Sequence, residues 1–122
     1  MNESILTSIK KLLGITEEYE HFDPDIIMHI NTVLMILTQL GVGPTKGFSI
    51  SDKTAAWSDF LPNDKNLEAV KSYVHMKVKL LFDPPLNSAV IECMNRLISE
   101  LEFRINVAAE SNVEEGGEGQ NG

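Results

Sequence analysis

The sequence contains one cysteine, Cys93, one tryptophan, and few aromatic residues in all, 7% of 122. One cysteine excludes an internal disulfide framework and a multi-cysteine zinc site. No apolar run reaches the ~18 residues that a membrane span requires, which excludes a transmembrane helix. Basic residues are scarce as well: ten Lys and Arg stand against eighteen Asp and Glu, a formal charge of −8. That balance argues against a broad phosphate-neutralising surface, which needs clustered Lys and Arg. The start of the chain, MNESILTSIKK, puts Glu3 ahead of its apolar residues and the lysines behind them. This is the reverse of a secretory signal peptide, so the chain is expected to stay in the cell that makes it. What remains, 43% hydrophobic and 23% charged, is the make-up of one soluble globular domain.

The charge is unevenly spread. Residues 110–122 (ESNVEEGGEGQNG) hold four glutamates, no basic residue and four of the eight glycines, which leaves −4 on residues 1–109. Such a segment cannot bury enough apolar surface to offset its ordering entropy, so the composition predicts a helical domain over 1–109 and a disordered acidic tail over 110–122. The tail reads either as a solvating end or as a segment that orders on meeting a partner.

Apolar periodicity predicts four main helices. Residues 3–13 place Ile5, Ile9, Leu12 and Leu13 on one face, and Gly14 stands where a helix end prefers positive φ. The second helix starts with Asp23 as cap, Pro24 in the first helical position and Asp25 against the positive end of the helix dipole. It runs through Ile26, Ile27, Ile30, Val33, Leu34, Leu37 and Leu40 to Gly41. Met28, Met35 and Ile36 make it apolar on more than one side, as core or as interface surface. Residues 41–53 (GVGPTKGFSISDK) form a long loop with an extended piece at 48–50. A short helical turn is expected within 52–61, capped by Ser51 or Asp52, with Trp57, Phe60 and Leu61 inward, before Pro62-Asn63-Asp64 breaks it.

The third long helix spans about 65–82, with Leu67, Val70, Val74, Val78 and Leu81 in its stripe and Tyr73, Leu80 and Phe82 widening it. Asp83-Pro84-Pro85 ends it, since the residue before proline is pushed out of the α region. The fourth starts near Asn87 or Ser88 and reaches about Ala109, with a stripe of Val90, Met94, Leu97, Leu101 and Ile105 flanked by Ile91 and Ile98. Glu92, Arg96, Glu100 and Arg104 fall on the other side as two acid-first i,i+4 pairs, each worth ~0.3–0.5 kcal/mol. The fold class is therefore all-α, a small bundle in which the third and fourth helices form an antiparallel hairpin about the double proline.

Chemistry is thin. His21, His29 and His75 are scattered; Asp25 and His29 lie one turn apart, but no further ligand joins them, so no metal or cofactor is expected. Cys93, among Ile91, Met94 and Leu97, reads as a thiol in the core or on its flank. Gly41–Gly47 lacks the Gly-Lys-Ser/Thr ending of a phosphate loop and follows a helix, not a strand. Glu17, Glu18 and Glu20 read as a solvated turn. Lys71, Lys77 and Lys79 give one helix a basic side, too thin for duplex DNA but able to seat an acidic partner surface. No catalytic constellation is present, and no enzymatic activity is expected.

The run from Tyr73 to Pro85, YVHMKVKLLFDPP, closely resembles the helix-to-helix junction of the tailed-phage head–tail connector family, the small head-completion adaptors of long-tailed phages and of prophages in Gram-positive hosts. The Ser4–Gly14 helix, the segment Trp57-Ser58-Asp59-Phe60-Leu61 and the stretch Glu100–Asn106 agree with it in order and spacing, over roughly residues 1–107. The sequence departs at Phe103, where the family pattern leads to Trp; an aromatic anchor is kept.

The resemblance implies a structural subunit without catalytic activity that assembles as a ring, usually dodecameric. The ring would dock on the portal protein and offer its far side to the next adaptor or tail protein, while DNA passes through the hole. It further implies host cytoplasm during assembly and then the head–tail junction of the virion. Within this frame Met28, Met35 and Ile36 are candidate interface residues, as are Lys46 and Phe48 of the loop and Arg104 near the end of the last helix. The end of that helix and the tail are the candidate portal-facing side. Trp57, Phe60, Asp83, Pro84 and Pro85 are expected to be structural. The charge also permits a rival reading, a small acidic helical regulator or DNA mimic of a mobile element. Such a mimic needs a dense acidic stripe on a folded face, whereas four of the eighteen acids sit in the tail.

Overall fold

The computed structural model describes residues 3–62 and 66–110 in full, together with a helical trace that continues to Asn121. The expected tail beyond Glu110 thus falls on residues whose side chains lie outside the described ones, and Asn63 and Asp64 of the breaker lie outside them too. The elements are α1 (Ile5–Leu12), α2 (Asp23–Gln39), α3 (Trp57–Phe60), α4 (Leu67–Phe82) and α5 (Ser88–Asn121), with no strand among the described residues. The chain is all-α. α4 is the central layer: it packs against α2 on one side and α5 on the other, and α1 lies across α2 and α4.

Local signals set the ends of the elements. Ser4 caps α1, its Oγ accepting from the Thr7 amide at 3.2 Å, and Gly14 follows at φ +82°. Asp23 is not the cap of α2. Phe22 holds that position and Asp23 is the first helical residue, because its carboxylate is spent instead on Lys10, 2.8 Å away. Gly41 (φ +89°) and Asp83, outside the helical region at φ −149°, close α2 and α4 as the sequence predicts. The short turn is narrower than 52–61. It is only α3, and its start is fixed by Asp59, whose Oδ2 accepts from the Ala56 amide at 2.9 Å, not by Ser51 or Asp52.

The core gathers Ile5 and Ile9, then Ile26, Ile30, Val33, Leu34 and Leu37 of α2, and Val70, Tyr73, Val74 and Val78 of α4. Trp57 and Phe60 are fully buried in it, as expected of anchors, and the Trp57 Nε1–H donates to Ser8 Oγ at 2.8 Å. Burial of each such ring contributes about 3 kcal/mol.

Three stripes differ from expectation. In α1 Leu6 joins the expected Ile5 and Ile9 inward, while Leu12 is half exposed. At the end of α4 Phe82 takes the inward contact and Leu81 stays half exposed, since neighbours 100° apart on a helix cannot both point at α2. In α5 the buried line is Ile98, Ile105 and Ala109: Ile105 belongs to the expected stripe, but Ile98 comes from its flank, and Val90 and Leu97 lie outside. Cys93 is likewise exposed, on the side of the charged pairs. Apolar residues occur on both sides of this helix, and periodicity alone does not choose between two overlapping stripes.

Candidate functional site

The 41–53 loop is held in place by side chains of α2 and α3. Asn31 brackets Ile50 as a neighbouring strand would: its Nδ2 donates to the Ile50 carbonyl at 2.9 Å, and its Oδ1 accepts from the Ile50 amide at 2.7 Å. Gly43, at φ +82°, runs so close to Phe60 that a Cβ there would clash with the ring. Phe48 packs on the same ring, with centroids 5.3 Å apart. These contacts leave a groove of about 490 Å³ between the second half of α2 and the loop, lined by Asn31, Met35, Thr38, Lys46, Phe48 and Ser49.

Three of the six candidate interface residues, Met35, Lys46 and Phe48, therefore meet in one groove. Met28 lies two turns before Met35, and the two side chains are 57% and 55% exposed with Thr32 between them. Ile36 is half-buried against the core. Arg104 stands apart, exposed on α5 and paired with Glu100 at 2.6 Å; Arg96 and Glu92 pair in the same way at 2.7 Å. Pro84 and Pro85 follow the end of α4 at the hairpin, where Asp83 also pairs with Lys79 at 3.1 Å.

The α4–α5 hairpin is clasped by a polar network absent from the sequence reading. The Tyr73 hydroxyl donates to Glu102 Oε2 at 2.6 Å, and Lys77 Nζ stands 3.9 Å from the same oxygen. Burial, and then the Glu102 carboxylate, push the Tyr73 phenol well above its usual range. Farther along α5, Asn106 Nδ2 donates to the Leu40 carbonyl at 3.1 Å, so the end of α2 and α5 are tied directly.

Two further features escaped sequence reasoning. Lys10 is only 2% exposed; besides meeting Asp23, its Nζ donates to the carbonyls of Glu17 (3.0 Å) and Tyr19 (2.8 Å). The contact with Asp23 is an ion pair more than a hydrogen bond, because Asp23 Oδ1 is buried with no aligned donor among the described residues. The solvated turn is therefore pinned from beneath by a buried ammonium, and the signal was Lys10 standing one turn after Leu6 on the apolar side of α1. The second feature is an aromatic patch. Phe22 meets Phe82 at 5.3 Å between centroids, His21 at 4.9 Å and Tyr19 at 5.8 Å, and His29 lies 6.4 Å from Phe82. Its signal was Tyr19, His21 and Phe22 within four residues of an acidic linker.

Phe103, expected as an aromatic anchor, is 70% exposed and lies outside the core of the described residues. Its position on α5 points away from the buried line of Ile98 and Ile105. Among the described residues no three His, Cys, Asp or Glu side chains group to hold a metal ion, and no helix is long and apolar enough to cross a membrane.

Residues 5–112 match the model of a family described as phage connector protein. Neither the curated proteins nor the solved structures hold a match to the chain.

Proposed function

The chain belongs to the phage connector protein family, and from that premise we propose that its copies form a ring, dodecameric when assembled, between the portal protein and the next adaptor or tail protein of a virion. DNA passes through the hole of this ring during packaging and ejection. The role is structural, with no catalytic step, and the subunits occupy the host cytoplasm until they join the particle. The observation that carries this reading is the extent of the family match, which takes in α1 to α4 whole and α5 as far as residue 112.

Two physical features support it. A ring needs a heterologous interface, one patch of each subunit against a different patch of the next. The exposed Met28–Met35 stripe and the adjoining groove with Lys46 and Phe48 supply adaptable apolar surface for such a contact. The net charge of −8 suits a DNA channel, because a wall that attracted phosphates would retard the duplex.

Sedimentation and negative-stain microscopy of the purified protein, alone and with portal protein, test the reading. Rings are expected, either free or formed on the portal. Virions that lack the protein yet retain their genomes and join tails normally would overturn it.

A further inference from the structure

Two exposed surfaces of the molecule are left without a role by the fold. The first is the aromatic patch at the start of α2 and the end of α4. Tyr19 is half exposed, Phe22 about a third, and Leu81 and Leu86 flank the patch on the hairpin side, Leu86 fully exposed. Its surroundings in the chain are acidic: Glu17, Glu18, Glu20, Asp25 and Asp83 are all exposed. Aromatic rings with a desolvable apolar body and an acidic rim suit a partner that brings aliphatic or aromatic side chains together with arginine.

The second surface is the outer side of α5. Cys93, Leu97, Glu100, Arg104 and Val107 recur at helical spacing, with Arg96 and Phe103 beside them, and every one of these is exposed. A helix normally turns such apolar residues inward, yet here the buried line is Ile98 and Ile105 on the other side. Among the described residues Arg96 and Arg104 pair with Glu92 and Glu100 in exposed i,i+4 contacts, which are worth about 0.3–0.5 kcal/mol and yield readily to a better acceptor.

We propose that these two surfaces meet between copies: the patch of Tyr19, Phe22 and Phe82 on one subunit seats Leu97, Phe103 and Val107 of α5 of the next. In this contact Arg96 and Arg104 reach the carboxylates of Glu17, Glu18 and Glu20. The charge complementarity is between an acidic rim and two displaceable guanidinium groups, and the apolar parts are complementary in kind. The two patches share no residue, so one copy can offer its patch to one neighbour and its α5 to the other, which is the head-to-tail contact that the ring reading requires. The inference rests on the ring reading and deepens it by naming a pair of faces that touch in addition to the Met28–Met35 stripe.

The lone cysteine makes the contact directly testable. A chain carrying Tyr19→Cys and Cys93→Ser is mixed with the unmutated chain, assembled, and treated with a short bismaleimide. A covalent product joining the two kinds of chain is expected in the mixture, with no linked product from either chain alone. Absence of the mixed product, or linkage of either chain alone, overturns the contact. Phe103→Ser, a surface change expected to leave helical content unaltered, should raise the concentration needed for assembly at least tenfold; unchanged assembly overturns the contact too. Unmutated protein that stays monomeric both alone and with portal protein ends the ring reading and this contact with it. Protein that assembles but fails these two assays ends the contact only.

Discussion

Lys10 and His75 show how single side chains of this protein are set by neighbours far away in sequence. Lys10 is buried against Asp23 and two linker carbonyls, so it fastens α1 to the start of α2. Removing one partner of a buried ion pair leaves the other charge uncompensated, and Lys10→Met is expected to cost about 3 kcal/mol in a urea-unfolding experiment. His75 is half-buried on α4. Its burial, with Lys79 as a smaller like charge, holds the imidazole below its usual range, only partly opposed by a hydrogen bond with the Leu12 backbone. The folded chain therefore refuses a proton that the unfolded chain accepts below about pH 6.5. Stability from this group is complete above that value and falls as the pH drops toward the lower folded-state pKa. The urea midpoint should decline between pH 7.5 and pH 5.5, and His75→Gln should flatten that decline.

At the scale of elements, the loop over residues 41–53 is the least regular piece and one of the most constrained. Asn31 fixes it through Ile50, and Gly43 lets it pass over Phe60. Gly43→Ala combines a left-handed backbone, about 1–2 kcal/mol for a residue with a Cβ, with a clash against a buried ring, about 1–3 kcal/mol of overpacking. A loss of roughly 2–5 kcal/mol in thermal or urea unfolding is expected, along with disturbance of the adjoining groove. Much of the element pattern was legible in the sequence, since Gly14, Gly41 and Asp83-Pro84 mark helix ends by local backbone chemistry. Asp23 was misjudged because capping is a local preference that a nearby buried ammonium overrode. α5 was only partly judged in phase, with Ile105 inward as expected but Ile98 in place of Val90 and Leu97, because two apolar stripes overlap on it and only the position of α4 selects between them.

For the molecule as a whole, the decisive property is the number of large apolar side chains left outside. The pair Met28→Ser and Met35→Ser is expected to change folding stability by less than about 0.5 kcal/mol, because neither side chain contributes to the core. The same pair should weaken assembly, read by sedimentation over a concentration series. The sequence by itself determined the all-α class, the hairpin about Pro84 and Pro85, the main core residues and the family resemblance, because helix periodicity, proline geometry and short motifs act over a few residues. Only the tertiary structure decided which side of α5 is buried, that Met35, Lys46 and Phe48 share a groove, and that Tyr19, Phe22 and Phe82 form one patch. Those facts depend on how elements distant in the chain are brought together, and no local preference encodes that.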